Sequence, residues 1–380
     1  MASLAERDRR YAALRGAMDA SAHDAYLIAG RADGSERGRV HYVSDLSVMG
    51  GMTYVLLPRD RPPTLFQPAF VGRAWAETAG WVIDNRSALD PIAEVVDVLR
   101  ELGLADGRVG IIGLEHTMPI ADFRTLATSL AGALLEDATP AFDAVRVVKS
   151  AEELACLRST SSIVVAAYEA LEAVLRPGVT ERAAVSTAIG EVRRLGGLGG
   201  FLHISRSGGF TALHPPTDDV IRPDDVVTFD FEYTGLEHYA LELTRQYSFG
   251  GPPPDDIAAT YAIQGRVFDR IAASLRPGQT TTALAALIRA AYAAEGRTAA
   301  GPEGWGPVQL HAHGIGLDFG EPPFIPGPEM VLESGMVLSL HPNIGPEDPH
   351  RPVVAVVDSV VVTPWGGDPL TPGNARWRVL

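Results

Sequence analysis

Apolar residues recur at helical spacing from Ala5 to Met18, and the apolar runs Ala25 to Ile28 and Met52 to Leu57 read as strands. Pro91 to Leu102 predicts another helix and Val109 to Leu114 another strand. This alternation describes an α/β layer domain that ends near residue 148. There Val147-Val148-Lys149-Ser150-Ala151-Glu152-Glu153 changes character. Ser150 is placed to cap a long helix, with Glu153 three residues on as its capping-box partner. The pattern therefore divides the chain into 1–148 and 149–380.

The second part carries an internal echo. Leu175-Arg176-Pro177-Gly178 returns as Leu275-Arg276-Pro277-Gly278, each time after an Ala-rich helix and before a second one. Two related α/β halves facing each other, with a cleft between them, are expected from such a repeat. Val226 to Phe231 reads as a strand, and so does Ala240 to Arg245, where alternation puts 240, 242 and 244 on one face and Leu241 and Leu243 on the other.

Composition narrows the options. The 380 residues are 46% hydrophobic and 21% charged, the profile of a folded globular chain. That length allows two cores, because single cores stop growing at about 250–300 residues. A net charge of −15 argues against general affinity for nucleic acid or anionic membranes. The first ten residues are charged, no apolar run reaches the roughly 18 residues of a membrane span, and a cytoplasmic location is expected. The single cysteine, Cys156, excludes an intrachain disulfide. Gly196 to Gly200 lacks the Lys-Ser/Thr ending of a phosphate loop and reads as a place of close backbone approach.

Candidate chemistry gathers in the second part, where seven of the ten histidines lie between 203 and 350. His214 opens the loop His214-Pro215-Pro216-Thr217-Asp218, and histidine is the side chain best suited to exchange protons near neutrality. Asp230 and Glu242 stand on the two strands. His311 and His313 fall in His311-Ala312-His313-Gly314-Ile315-Gly316-Leu317, and His341 follows Val337-Leu338-Ser339-Leu340.

These segments, with Val356-Val357-Asp358-Ser359, resemble the creatinase, prolidase and aminopeptidase P family (metallopeptidase family M24). The resemblance implies the pita-bread fold for the second part and a creatinase-like domain for the first. In the family, Asp, Asp, His, Glu and Glu surround two divalent cations. The matching positions here are Asp230, Glu242, His313, His341 and Val357. Valine has no donor atom, and a count of two carboxylates against two dications leaves about two charges uncompensated. The resemblance thus points away from an ordinary dinuclear Xaa-Pro peptidase. Gly320 stands where peptidase members carry a second substrate-contacting histidine, beside Glu321.

The leading expectation is a creatinase-like, metal-independent hydrolase or lyase that cleaves a carbon–nitrogen bond of a small polar molecule. His214 serves as acid/base, Glu242 binds substrate or activates water, and His313 and His341 hold the substrate. Asp230, Arg245, His311 and Glu321 are candidate substrate contacts. The alternative keeps one ion of iron, manganese or zinc on Glu242, His313 and His341, with Asp230 as a fourth ligand. A third reading is a non-catalytic binding module. The spacing of 12 from Asp230 to Glu242 predicts a bulged hairpin. Arg39, His41 and Tyr42 read as a strand with surface charge, and the resemblance makes them candidates to reach a partner subunit's site in a homodimer.

Overall fold

A computed structural model describes residues 2–71, 80–207, 212–297, 311–344, 351–373 and 376–380. Its chain separates into two compact units, Met1–Val147 and Val148–Leu380.

In the first unit the elements run α1 (Leu4–Ser21), β1 (Ala25–Gly30), α2 (Gly38–Ser44), β2 (Thr53–Pro58), β3 (Thr64–Pro68), β4 (Asp84–Ala88), α3 (Pro91–Glu101), β5 (Arg108–Ile112), α4 (Ile120–Ser129), β6 (Leu134–Asp137) and α5 (Thr139–Arg146). The sheet order is β4-β3-β2-β1-β5-β6, with β1 antiparallel to β2 and parallel to β5. Leu27, Leu56 and Ile111 of the sheet form one core with Val95, Leu99 and Leu126 of the helices. This is the expected α/β layer. One element differs: the stretch around Arg39, His41 and Tyr42, read as a strand, belongs to the helix Gly38–Ser44, whose Asp45 cap adopts a left-handed conformation at φ 54°.

The second unit contains α6 (Ala151–Glu172), α7 (Glu181–Arg194), β7 (Gly199–Arg206), β8 (Val227–Thr234), β9 (Ala240–Ser248), α8 (Asp255–Ser274), α9 (Thr281–Ala294), β10 (Ala312–Gly314), β11 (Glu321–Ile325), β12 (Val337–Leu340), β13 (Asp358–Thr363), β14 (Gly366–Pro369) and β15 (Trp377–Val379). A curled sheet runs β11-β10-β12-β13-β9-β8-β7, antiparallel along that path, with β14 on β13 and β15 on β9. It is the pita-bread arrangement. Ser150 caps α6 with the capping box complete: its hydroxyl accepts from Glu153 N at 3.1 Å, and Glu153 accepts from Ser150 N at 2.9 Å.

The sequence echo is also an echo in space. Gly178 and Gly278, at φ of 95° and 86°, both turn the chain where a side chain would be strained. Their N–H groups donate to Ile221 O and Leu332 O at 2.9 and 2.8 Å. Thr180 and Thr280 then cap α7 and α9 and form the matching bridges to Val220 and Val331.

Helix α6, with 22 residues and a mean hydropathy of 1.2, has the length and composition of a membrane span, but such a helix can equally be the core helix of a folded unit. Its apolar and aromatic side is used within the unit. Tyr168 is fully buried, stacks on Phe231 at 4.4 Å, and donates toward Phe229 O and Leu243 O at 2.9 and 2.6 Å. Burying such a ring contributes about 1.5–3 kcal/mol. The contact also fixes the backs of β8 and β9, so their other face is held toward the site.

Candidate metal centre

The run Phe229-Asp230-Phe231-Glu232-Tyr233 alternates strictly, so its aromatic residues pack behind the sheet and both carboxylates point forward. Strands β8 and β9 pair without a shift, from Val227 opposite Tyr247 to Thr234 opposite Ala240. The expected bulge is absent, because Gly235 N bonds to Tyr239 O at 3.0 Å and closes the turn outside the ladder. That register sets Asp230 opposite Thr244 and Glu232 opposite Glu242. Residues directly opposite share a face, so all three carboxylates stand together.

The other wall comes from β10, β12 and β13. His313 lies opposite Ser339, and Ser339 lies opposite Ser359. The Ser339 hydroxyl donates to the Glu242 carboxylate, and Ser359 Oγ accepts from Glu242 N at 3.2 Å. His341 directly follows β12, where its N–H donates to His311 O at 2.9 Å. The two imidazoles face each other with centroids 5.1 Å apart. One donor atom from each of Glu242, His313 and His341 lies within 4.8 Å of the other two, and the same holds for Asp230, Glu232 and Glu242.

These groups fit a metal. His313 Nδ1 is 3.0 Å from Gly314 O, which can only accept, so Nδ1 carries a proton and Nε2 faces Glu242 Oε2 at 3.3 Å. A backbone carbonyl on one ring nitrogen is a usual way to orient a ligating histidine. Asp230 is only 7% exposed, yet its Oδ1 has no hydrogen-bond partner among the described residues.

The electrostatics follow from the crowding. Burial, and then the charge of Glu242, hold the Asp230 carboxyl well above its ordinary range. Glu232 is raised in the same way, by burial and then by both neighbours. For Glu242 burial also pushes upward, but the His313 hydrogen bond, the His341 and His313 charges and the Ser339 hydroxyl outweigh it, and its pKa falls. Burial works against a charge on His313, yet Glu242 raises it. Without a cation, one ionised carboxylate thus pairs with imidazole while two are disfavoured as anions.

Other expected site residues are placed as follows. Burial, with His341 and Arg289 nearby, lowers His311 to about 4. His214 bridges Ile204 through its backbone, and its Nδ1 is 2.8 Å from Pro215 O. Arg245 faces away from Glu242: fully buried, it bonds Glu172 at 2.8 Å and lies over Tyr168. Glu321 is taken up by Lys149 at 2.6 Å and Asp318 N at 3.2 Å, with its charge acting on His313. In the first unit Arg39 bonds Asp143 at 3.1 and 2.8 Å, His41 Nδ1 lies 3.1 Å from Leu46 O, and Tyr42 lies under Arg10.

Two residues escaped the sequence reading. Glu232 was overlooked although the Phe-Asp-Phe-Glu-Tyr alternation already puts it on the Asp230 face. His203 is the other: it stands opposite Asp230 on β7, close enough for Glu242 and His214 to act on its charge. Burial, with His214 adding to it, lowers His203.

Comparison with known proteins agrees with this geometry. Residues 155–364 match the model of metallopeptidase family M24, and residues 10–148 match the creatinase/prolidase N-terminal domain. A probable dipeptidase PepE of Mycobacterium tuberculosis is 30% identical over 342 residues, covering 89% of this chain and 84% of the relative. A Xaa-Pro dipeptidase of Lactobacillus delbrueckii is 26% identical, covering 85% and 86%. The crystal structure of dipeptidase PepE from Mycobacterium ulcerans superposes with a TM-score of 0.78 at 25% identity, covering 99% and 98%.

Three expectations are corrected by these findings. A metal-independent pocket gives way, because two sets of donor atoms converge as ligands do. The absence of a cofactor gives way for the same reason. The case against a dinuclear peptidase rested on two carboxylates, whereas the site holds three, and the relatives matched along the chain carry dipeptidase names. Sequence, fold and the converging donors together make this chain a member of metallopeptidase family M24.

Proposed function

We propose that this protein is a metal-dependent hydrolase that cleaves the amide bond of a short peptide, with a divalent cation held by Glu242, His313 and His341. The observation that carries the reading is the convergence of their donor atoms within 4.8 Å from strands far apart in sequence. Two imidazoles and a carboxylate suit iron, manganese or zinc. The dipeptidase names of the relatives support a dipeptide as substrate. In this reading the ligand set is altered: His341 and Val357 stand at positions that are carboxylates in the family pattern. Val357 N donates to Thr244 Oγ1 at 3.2 Å, so the valine borders the Asp230–Thr244 row without contributing an oxygen from its side chain.

A bound divalent cation supplies Lewis acidity, polarising an amide carbonyl and lowering the pKa of water. The chain does the rest. Gly314 O fixes the His313 tautomer, and Ser339 orients Glu242. His214, with Nδ1 turned to Pro215 O, uses Nε2 to return a proton to the leaving amine. Phe201 lies 5.0 Å from Phe319 and stacks with His203 at 6.3 Å, an apolar wall for a substrate side chain. The reading includes a homodimer, as the family resemblance implies, and a cytoplasmic location.

The test is amine release from a panel of dipeptides by purified protein, before chelation, after chelation, and after manganese, cobalt or zinc is returned. Hydrolysis that disappears on chelation and returns with metal is expected. Unchanged turnover after complete stripping, or no hydrolysis of any dipeptide with metal restored, refutes the proposal.

A further inference from the structure

We infer that the second unit carries a binding site for a free α-amino acid with an apolar side chain, on the face of the curled sheet turned away from the metal centre. The site is a cavity of about 300 Å³ between α8, the start of β13 and the segment that follows β14. The inference does not depend on the metal-dependent reading above.

Alternation along the chain separates the two faces. Ser359 Oγ accepts from Glu242 N on the metal side, so Asp358, its neighbour in β13, points to the opposite one. There Asp358 and Val356, both buried, form the floor. Helix α8 supplies a wall, because Tyr261, Gly265, Phe268 and Asp269 fall on one stripe of it and all line the space. Tyr261 is held by an edge contact with the Trp377 ring at 5.3 Å.

Gly265 is the observation that points to an occupant. Glycine inside a helix is destabilising relative to alanine, yet a Cβ built at this position meets nothing within 4 Å. The protein's own packing thus gives no reason for a glycine there. What the missing side chain preserves is the open space, whose volume sits at the lower end of the range for small-molecule sites.

Charge then selects the ligand. At the mouth stand one anion and one cation, the exposed Asp269 and Arg376, and neither side chain forms an ion pair or hydrogen bond with a described residue. Below them the Asp358 carboxyl accepts from Thr371 at 2.6 Å, and burial pushes it up to about 7, so it adds only part of a charge at neutral pH. An opposite pair above an apolar and aromatic lining fits a zwitterion. Its carboxylate meets Arg376, its ammonium meets Asp269, and its side chain lies against Phe268 and Tyr261 over Val356.

Isothermal titration with L-leucine tests the site, on manganese-loaded protein and again after metal stripping. Saturable binding with a Kd at or below about 1 mM is expected in both states. Leucinamide, which lacks the anion, and 4-methylpentanoate, which lacks the cation, should each bind at least about tenfold more weakly. Gly265→Leu places a side chain in the space and should abolish binding, with circular dichroism and melting unchanged. Arg376→Gln, at an exposed position, should weaken leucine about tenfold or more and leave leucinamide as it was. No saturable binding up to about 10 mM, equal affinity for all three ligands, or wild-type affinity in either variant overturns the inference. So does leucine binding that disappears with the metal, which would put the amino acid at Glu242, His313 and His341 and leave the proposed function standing. Failure to hydrolyse any dipeptide, in turn, sinks that function and leaves this site untouched.

Discussion

Replacing Glu242 by glutamine removes one charge from the point where both donor sets meet and changes the shape very little. The amide oxygen can still accept from Ser339, so the local hydrogen bond survives. What is lost is attraction. At the 3.3 Å that separates Glu242 Oε2 from His313 Nε2, one charge pair is worth roughly 5 kcal/mol at an effective dielectric of about 20. A cation in the same neighbourhood therefore loses roughly three to four orders of magnitude in affinity, and a dication at least that. The assay is thermal unfolding with and without manganese. At about 100 times its Kd, an ion stabilises the native state by ~2.7 kcal/mol, or roughly 5–10 °C in Tm for a unit of this size. At the same concentration Glu242→Gln should show almost no shift. Its metal-free form should be somewhat less stable than wild type, because the pairing with His313 that holds the Glu242 pKa down is lost, partly offset by relief of the like charge beside Asp230 and Glu232. A manganese shift in Glu242→Gln equal to that of wild type would refute the reasoning.

Three further outcomes follow from particular contacts. Val357→Glu returns a carboxylate to the border of the Asp230–Thr244 row; without metal it should destabilise by several kcal/mol (roughly 3–5), and manganese should restore the loss in the same melting experiment. Burial raises Asp358 to about 7 although Thr371 donates to it, so the native state holds that proton more tightly than the unfolded chain does. Its contribution is complete below about pH 4 and is lost as pH rises through about 7, roughly 4 kcal/mol in all, so urea unfolding across that window should be flatter for Asp358→Asn; parallel profiles would contradict this. Lys149→Met leaves Glu321 buried without its cation and should cost about 3–5 kcal/mol, largely recovered when Glu321→Gln is added; a single variant as stable as wild type would show the pair to be dispensable.

Local signals carried much of the fold. Helical spacing located α1 and α3, the Ser150 and Glu153 pair marked the start of α6, and the repeated Leu-Arg-Pro-Gly turn pointed to matched helix pairs with equivalent threonine caps. These features depend on neighbours within a few residues. Strand register does not, and that is where expectation and structure part. A spacing of 12 between Asp230 and Glu242 looked like an insertion to be absorbed by a bulge, whereas the ladder stays even and brings Glu232, not Asp230, opposite Glu242. His203 could be tied to the site only once β7 was known to pair with β8. Arg245 follows the same rule in reverse: three residues from Glu242, it must lie on the other face, where Glu172 and Tyr168 receive it. The helix at Gly38–Ser44 is too short to leave a periodic signature.

The alternation Phe229-Asp230-Phe231-Glu232-Tyr233 was the clearest signal left unused. It puts two carboxylates forward and three rings backward, and the rings find Tyr168 and one another behind the sheet. Glu232 stands outside the family's ligand positions, so those positions alone give one carboxylate fewer than the site holds.

The most direct measurement is anomalous diffraction at the manganese edge from crystals of protein purified without chelator and supplied with manganese. The account predicts a peak within bonding distance of Glu242 Oε, His313 Nε2 and an imidazole nitrogen of His341. A manganese-dependent enzyme whose anomalous peaks all lie away from these three side chains would contradict it.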